Sequence, residues 1–190
     1  MEINDITGDV LDAAVKIHRM FGPGLLESVY ERILMIELVR RGHVVERQKS
    51  VSFEYEKVVF ENAFRLDLLV DGKVVVELKS TPQLLPVYMK QVRTYLVLTG
   101  LQVGLVVNFG MDSLKDGFRR VVHQFDGKLP AMCRTSLSTT NERIVLPKDG
   151  STCGAMQVLG TDSLLDDDLI DEAEDSQRVN YDQVFEALGW

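Results

Sequence analysis

The chain is 190 residues long with a formal net charge of −8, enough for one domain with a proper core and an additional segment. Its two cysteines, Cys133 and Cys153, exclude a disulfide framework, and no histidine pattern beside them suggests zinc. With no secretory signal, internal repeat or long apolar span, the expectation is a protein of a reducing cytoplasm that does not engage a membrane.

Ile6, Val10, Ala14, Ile17 and Phe21 recur at helical spacing, which predicts an amphipathic helix over residues 5–20, ended by Gly22-Pro23-Gly24. A second helix, over residues 25–41, carries Leu26, Val29, Ile33, Ile36 and Leu38 as its apolar positions and stops at Gly42. Glu27 and Tyr30 lie one turn apart near its start and share a face. An acid at that position favours the helix macrodipole, and His18 near the end of the first helix is read as a packed or dipole-favoured histidine.

Residues 44–56 alternate as strands do, and residues 57–64 are expected to continue the sheet. Two runs rich in Leu and Val then flank Asp71-Gly72, the strongest short-range hairpin signal a sequence offers. A two-residue loop would put Asp67 and Glu77 on opposite faces. A three-residue loop pairs Val70 with Val74 and Asp67 with Glu77. It gathers Leu66, Leu68, Val70, Val74, Val76 and Leu78 on one face, and Arg65, Asp67, Glu77 and Lys79 on the other. The second register is the cleaner, with one face to bury and one to use.

Carboxylates set opposite each other repel, so a cation belongs between Asp67 and Glu77. A hard divalent ion such as Mg2+ suits such oxygen ligands, and Lys79, two residues on, places an ammonium beside it. The three residues together read as a phosphodiesterase site. The competing reading is a solvated hairpin face of mixed charge.

Thr81 and Pro82 open a third helix, from Leu84 or Pro86 to Thr99, closed by Gly100. Met89, Val92 and Leu96 form its apolar stripe, and Gln91 and Tyr95 share another face. A buried strand over residues 102–108 and an edge strand over residues 118–125 follow. The order is helix, helix, antiparallel strands, helix, strand, an α/β sandwich in which a parallel crossover places the Gln91 helix over the sheet.

The charge is unevenly spread. Residues 1–125 hold 16 Lys and Arg against 16 Asp and Glu, whereas residues 126–190 hold 5 against 13. The last third thus carries the whole acidic excess, leaving the first two thirds free to gather a basic patch. Residues 126–190 read as a loosely structured extension. Its stretch 162–175 has eight acids and no base, and apolar spacing through Val184, Phe185, Leu188 and Trp190 suggests a terminal docking helix. This tail is the place left for a protein partner, and oligomeric state is not set by the sequence.

Gly24-Leu25-Leu26-Glu27-Ser28-Val29-Tyr30, followed by Glu31, resembles the signature of the GxxExxY proteins, a bacterial branch of the PD-(D/E)XK nuclease superfamily. The resemblance extends through Arg65-Leu66-Asp67, Glu77-Leu78-Lys79-Ser80, Gln91 with Tyr95, and Gly104 to Gly110, covering residues 5–123 in order. It implies a restriction-endonuclease-like sandwich, a central mixed sheet flanked by helices, over residues 1–125. It further implies that Asp67 and Glu77 bind Mg2+, with Mn2+ able to substitute, and that Lys79 is the catalytic lysine. Glu27 would help hold the metal or its water, and Gln91 and Tyr95 would line the site and contact nucleic acid.

The superfamily's proline is absent, since Leu66 stands before Asp67. The reaction implied is metal-dependent hydrolysis of phosphodiesters, with DNA the preferred substrate. Arg65, Lys90 and Arg93, with Arg119 and Arg120, are candidates for positioning phosphates. The alternative is a non-catalytic module that keeps the fold to bind nucleic acid or protein.

Overall fold

The computed structural model describes residues 1–123 and the short segments 133–137, 142–144 and 158–159. Expectations for the acidic stretch 162–175 and the terminal helix lie outside the described residues.

Helix α1 (Ile3–Phe21) opens with a reciprocal capping box between Glu2 and Asp5, which satisfies backbone N–H groups that no helical carbonyl can reach. It buries Ile6, Val10, Ala14 and Ile17 as the spacing predicts. Phe21 is instead exposed, because the helix stops there and Gly22 turns the chain away.

Helix α2 (Glu27–Arg40) starts at Glu27, with Leu26 as its cap, and its expected stripe is corrected. Leu26 and Val29 are exposed, and Tyr30, Leu34, Met35 and Leu38 form the buried face. Apolar residues lie nearly all round this helix, so helical spacing alone does not choose a face, and the packing of Tyr30 decides it.

Strands β1 (Val45–Tyr55) and β2 (Val58–Val70) form a long antiparallel hairpin, into which the two expected segments of β2 merge. Its turn, Glu56-Lys57, has two successive left-handed residues, and Tyr55, Val58, Val59 and Phe60 around it are exposed.

Strand β3 (Val74–Lys79) returns with Val70 opposite Val74, Leu69 opposite Val75 and Leu68 opposite Val76, the three-residue loop register. Asp71 and Gly72 take φ of 52° and 65°, and the Lys73 N–H donates to the Val70 carbonyl at 2.9 Å. Helix α3 (Pro86–Thr99) crosses to β4 (Val103–Asn108), which runs parallel to β3. A single turn, α4 (Leu114–Gly117), leads to the antiparallel β5 (Phe118–Val122), which ends before His123; residues 124–125 of the expected strand lie outside the described residues.

The sheet runs β5-β4-β3-β2-β1, mixed, with helices on both faces. Beyond β1, the short strands β6 (Cys133–Leu137), β7 (Glu142–Ile144) and β8 (Val158–Leu159) extend it. They come from the stretch whose composition suggested a loose extension, and β6 and β7 pair with a β1 edge that would otherwise be open.

One core packs α1 and α2 against Leu68, Val70, Val74, Val76 and Leu78; the other packs α3 against Val51, Leu66, Leu69, Val75 and Val106. Leu66 therefore sits on the opposite face from the one alternation assigns. The reason is local. The β1–β2 ladder pairs Arg47 with Leu68 and Lys49 with Leu66 but skips Gln48 and Asp67 between them. Gln48 there takes a left-handed φ of 51°. The strand changes face at this irregularity, and Asp67 lies on it.

Candidate functional site

Strand β3 is buried on both sides, yet it carries Glu77, only 2% exposed, among its valines. Lys79 Nζ donates to Glu77 Oε1 at 2.6 Å and to the Leu78 carbonyl at 2.9 Å, and it stands 5.5 Å from the centre of the Tyr88 ring. The other oxygen, Glu77 Oε2, is buried with no hydrogen-bond partner among the described residues.

Asp67 reaches the same place from β2, and its Oδ2 accepts from the Leu78 N–H at 2.9 Å. This bond from the facing strand fits the register in which Asp67 opposes Glu77.

Helix α2 supplies Glu27 and Glu31, one turn apart on one face. Gly24, with φ of 141°, lets the incoming loop take a conformation that side chains disfavour. Tyr30, stacked on Phe109 at 4.3 Å, ties that loop down: its hydroxyl donates to the Gly22 carbonyl and accepts from the Leu25 N–H. Ser80 Oγ, just past Lys79, donates to the Leu25 carbonyl at 2.9 Å. The Gly-Glu-Tyr spacing thus fixes the start of α2 beside the end of β3.

Charge crowds this pocket of side chains. Burial raises the Glu77 carboxyl to about 7, and the neighbouring Asp67 pushes it the same way against Lys79. Burial also raises Asp67, although the Leu78 N–H and Lys79 favour its charged form. Glu27 and Glu31 are raised by burial too, with Asp67 adding to each. Burial alone would lower Lys79, but its hydrogen bond to Glu77 and the charges of Glu77, Glu27 and Asp67 together outweigh this and its pKa rises.

Gln91 Nε2 donates to Tyr95 Oη at 2.6 Å, so the pair shares a face of α3 as its spacing predicts. Tyr95 stacks on Phe64 at 4.5 Å, and burial raises its hydroxyl, with the charges of Glu77 and Asp67 adding to the rise.

Glu27, Asp67, Glu77, Lys79 and Tyr95 are thereby brought together, with Gln91 bonded to the last. Arg65, Lys90 and Arg93 are exposed, and none forms an ion pair among the described residues. No hydrogen bond joins them to the acids. Arg119 instead donates to the Lys115 and Phe118 carbonyls, and Arg120 to Asn4 Oδ1. His18 is a packed histidine, its Nε2 2.8 Å from the Met111 carbonyl.

Two members of the site were not singled out from the sequence. Glu31, 4% exposed, accepts from Arg47 Nη1 at 2.9 Å. Gln48 Nε2 donates to Glu31 Oε1 and Oε2 at 3.1 and 3.0 Å and to Asp67 Oδ1 at 3.3 Å. A signal for Glu31 exists in its i,i+4 relation to Glu27; for Gln48 there is no local one.

No three acid, histidine or cysteine side chains stand at ion-binding spacing among the described residues. In this conformation Lys79 draws off Glu77, and Gln48 takes up Glu31 and Asp67. The donor set nevertheless fits a hard cation. It is rich in carboxylate oxygen, each acid is strained toward its neutral form, and one buried oxygen has no donor.

A family model of the PD-(D/E)XK nuclease superfamily matches residues 4–121, and the chain belongs to that superfamily. No curated protein and no solved structure matches the chain. No helix among the described residues is long and apolar enough to cross a membrane.

Proposed function

We propose that this domain is a metal-dependent nuclease that hydrolyses phosphodiester bonds in DNA, and that within its superfamily it belongs to the GxxExxY branch. The observation that carries this reading is the unpartnered, buried Glu77 Oε2 beside Asp67. An oxygen left so is costly unless a ligand completes it.

Asp67 and Glu77, with Glu27, would hold Mg2+, or Mn2+ in its place. Bound there, the ion supplies Lewis acidity and a water of lowered pKa. The chain's own groups do the rest. Lys79 stays charged and offers its ammonium to the charge that grows on the phosphate. Gln91 fixes the Tyr95 hydroxyl, whose own proton remains to be donated to a phosphate oxygen. Arg65, Lys90 and Arg93, exposed and without ion pairs among the described residues, would hold the flanking backbone.

A non-catalytic binding module has one observation in its favour, the acids being tied to Lys79 and Gln48 rather than set around an ion. The deciding experiment is cleavage of labelled single-stranded and double-stranded DNA and RNA in Mg2+, Mn2+ or EDTA, with wild type beside Asp67→Ala and Lys79→Ala. The nuclease reading expects metal-dependent cutting of DNA that Asp67→Ala abolishes and Lys79→Ala reduces by roughly 10²- to 10³-fold. Absence of cutting by wild type, or cutting that survives both substitutions, would overturn it in favour of the module.

A further inference from the structure

Gln48 sits in a strand where its backbone is out of place. Its φ of 51° belongs to the left-handed region, which a residue branched only beyond Cβ enters at a cost. The ladder on either side of it is regular, with Arg47 opposite Leu68 and Lys49 opposite Leu66. Something in the folded state therefore holds this one residue. The hydrogen bonds it makes identify what. Its amide nitrogen faces three carboxylate oxygens, two on Glu31 and one on Asp67, at 3.0 to 3.3 Å. Since all three can only accept, the NH2 end of the amide must point at them.

We infer that Gln48 is a positioning residue for the metal-binding acids: its left-handed backbone aims a neutral amide between Glu31 and Asp67, fixing the Asp67 carboxylate for a divalent cation. The inference rests on the metal-dependent reading of the site given above. Asp67 is then oriented from two sides, at Oδ1 by the Gln48 amide and at Oδ2 by the Leu78 N–H. Each oxygen keeps a lone pair for an ion.

The neutrality of the donor matters as much as its reach. A lysine or arginine placed there would bridge the same two acids but cancel the negative field that attracts a cation. An amide orients without neutralising. Arg47, the preceding residue, donates from Nη1 to Glu31 Oε1 at 2.9 Å, the same oxygen that the amide reaches at 3.1 Å. Outer partners of this kind change metal affinity by about 10- to 100-fold when removed.

Two substitutions suit the backbone at position 48. Gln48→Gly accepts φ above zero without strain, and Gln48→Asn is the side chain that best tolerates it while keeping an amide one methylene too short. Mn2+ binding to the full chain is measured by titration calorimetry for wild type, Gln48→Gly and Gln48→Asn, with Asp67→Asn as the control that removes a ligand. Melting temperature in EDTA is recorded for each.

The expected result is Mn2+ affinity about 10- to 100-fold weaker in both position-48 variants, with melting in EDTA that does not track the loss. Wild-type affinity in either variant that melts as a folded domain overturns the inference and leaves the nuclease reading standing. So does a pattern in which both variants only lower the melting temperature, which marks a purely structural role. If wild type itself binds no Mn2+, the nuclease reading fails, and this inference fails with it.

Discussion

Among the described residues, the charge cluster around His43 is complete and the one around Glu77 is not. Around His43, whose side chain is fully buried, Asp71 Oδ2 meets Nδ1 at 2.8 Å and Asp9 Oδ2 meets Nε2 at 3.1 Å. Asp71 also caps the Val44 N–H, and Arg41 joins Asp9, Asp12 and Glu37. Every buried polar atom there has a partner. Around Glu77, four carboxyls share Lys79, Arg47 and one amide, and a buried oxygen is left over. A satisfied cluster holds a fold together, whereas an unsatisfied one costs stability until a donor or a ligand completes it.

The sharpest contrast is in activity. Lys79→Ala should reduce cleavage by roughly 10²- to 10³-fold, the usual loss when one group stabilising transition-state charge is removed. His43→Ala should leave the cleavage rate per folded molecule unchanged. Steady-state cleavage with matched folded fractions tests both.

In stability the order reverses. His43→Ala removes a fully buried ring and its hydrogen bonds to Asp71 and Asp9, and should cost about 2 kcal/mol in chemical denaturation. Glu77→Gln should instead stabilise the metal-free domain at pH 8, by up to roughly 3 kcal/mol at 1.36 kcal/mol per pKa unit. The sign follows from Glu77, whose pKa in the fold is raised from 4.5 to about 7. Its contribution is fully present below 4.5, shrinks as the pH rises through 7, and is gone above. A Glu77→Gln protein less stable than wild type at pH 8 in EDTA would break the comparison.

Metal should close the gap between the clusters. Mn2+ at a hundred times its dissociation constant should add about 2.7 kcal/mol at pH 8. At pH 6, where a proton competes for Glu77, the same concentration should add less, and thermal melts across pH would read the difference. The smallest effect is expected at Tyr30→Phe. Losing the hydroxyl that ties the Gly22 carbonyl and Leu25 N–H should cost about 1 kcal/mol, with a parallel fall in Mn2+ affinity as Glu27 loosens.

The hairpin was legible because turn chemistry and period-2 alternation agree on one register, so the juxtaposition of Asp67, Glu77 and Lys79 follows from local sequence. The crossover from β3 through α3 to β4 was legible for the same reason, with Pro86 and Gly100 marking the ends of the helix. The buried face of α2 was not, since a helix apolar on most sides is turned by its neighbours and not by its own spacing. Gln48 was hidden more deeply. Its partners, Glu31 and Asp67, lie 17 and 19 residues away, and only the folded register of β1 on β2 makes them neighbours. Leu66 was misplaced by the same irregularity.

The long β1–β2 hairpin carries a practical consequence at its far end. Glu56 and Lys57 form an exposed left-handed turn outside both cores. A trypsin cut after Lys57 would sever the backbone while the ladder from Val45–Val70 to Tyr55–Val58 keeps the halves in register. The nicked domain should migrate as one species under native conditions and as two fragments once denatured.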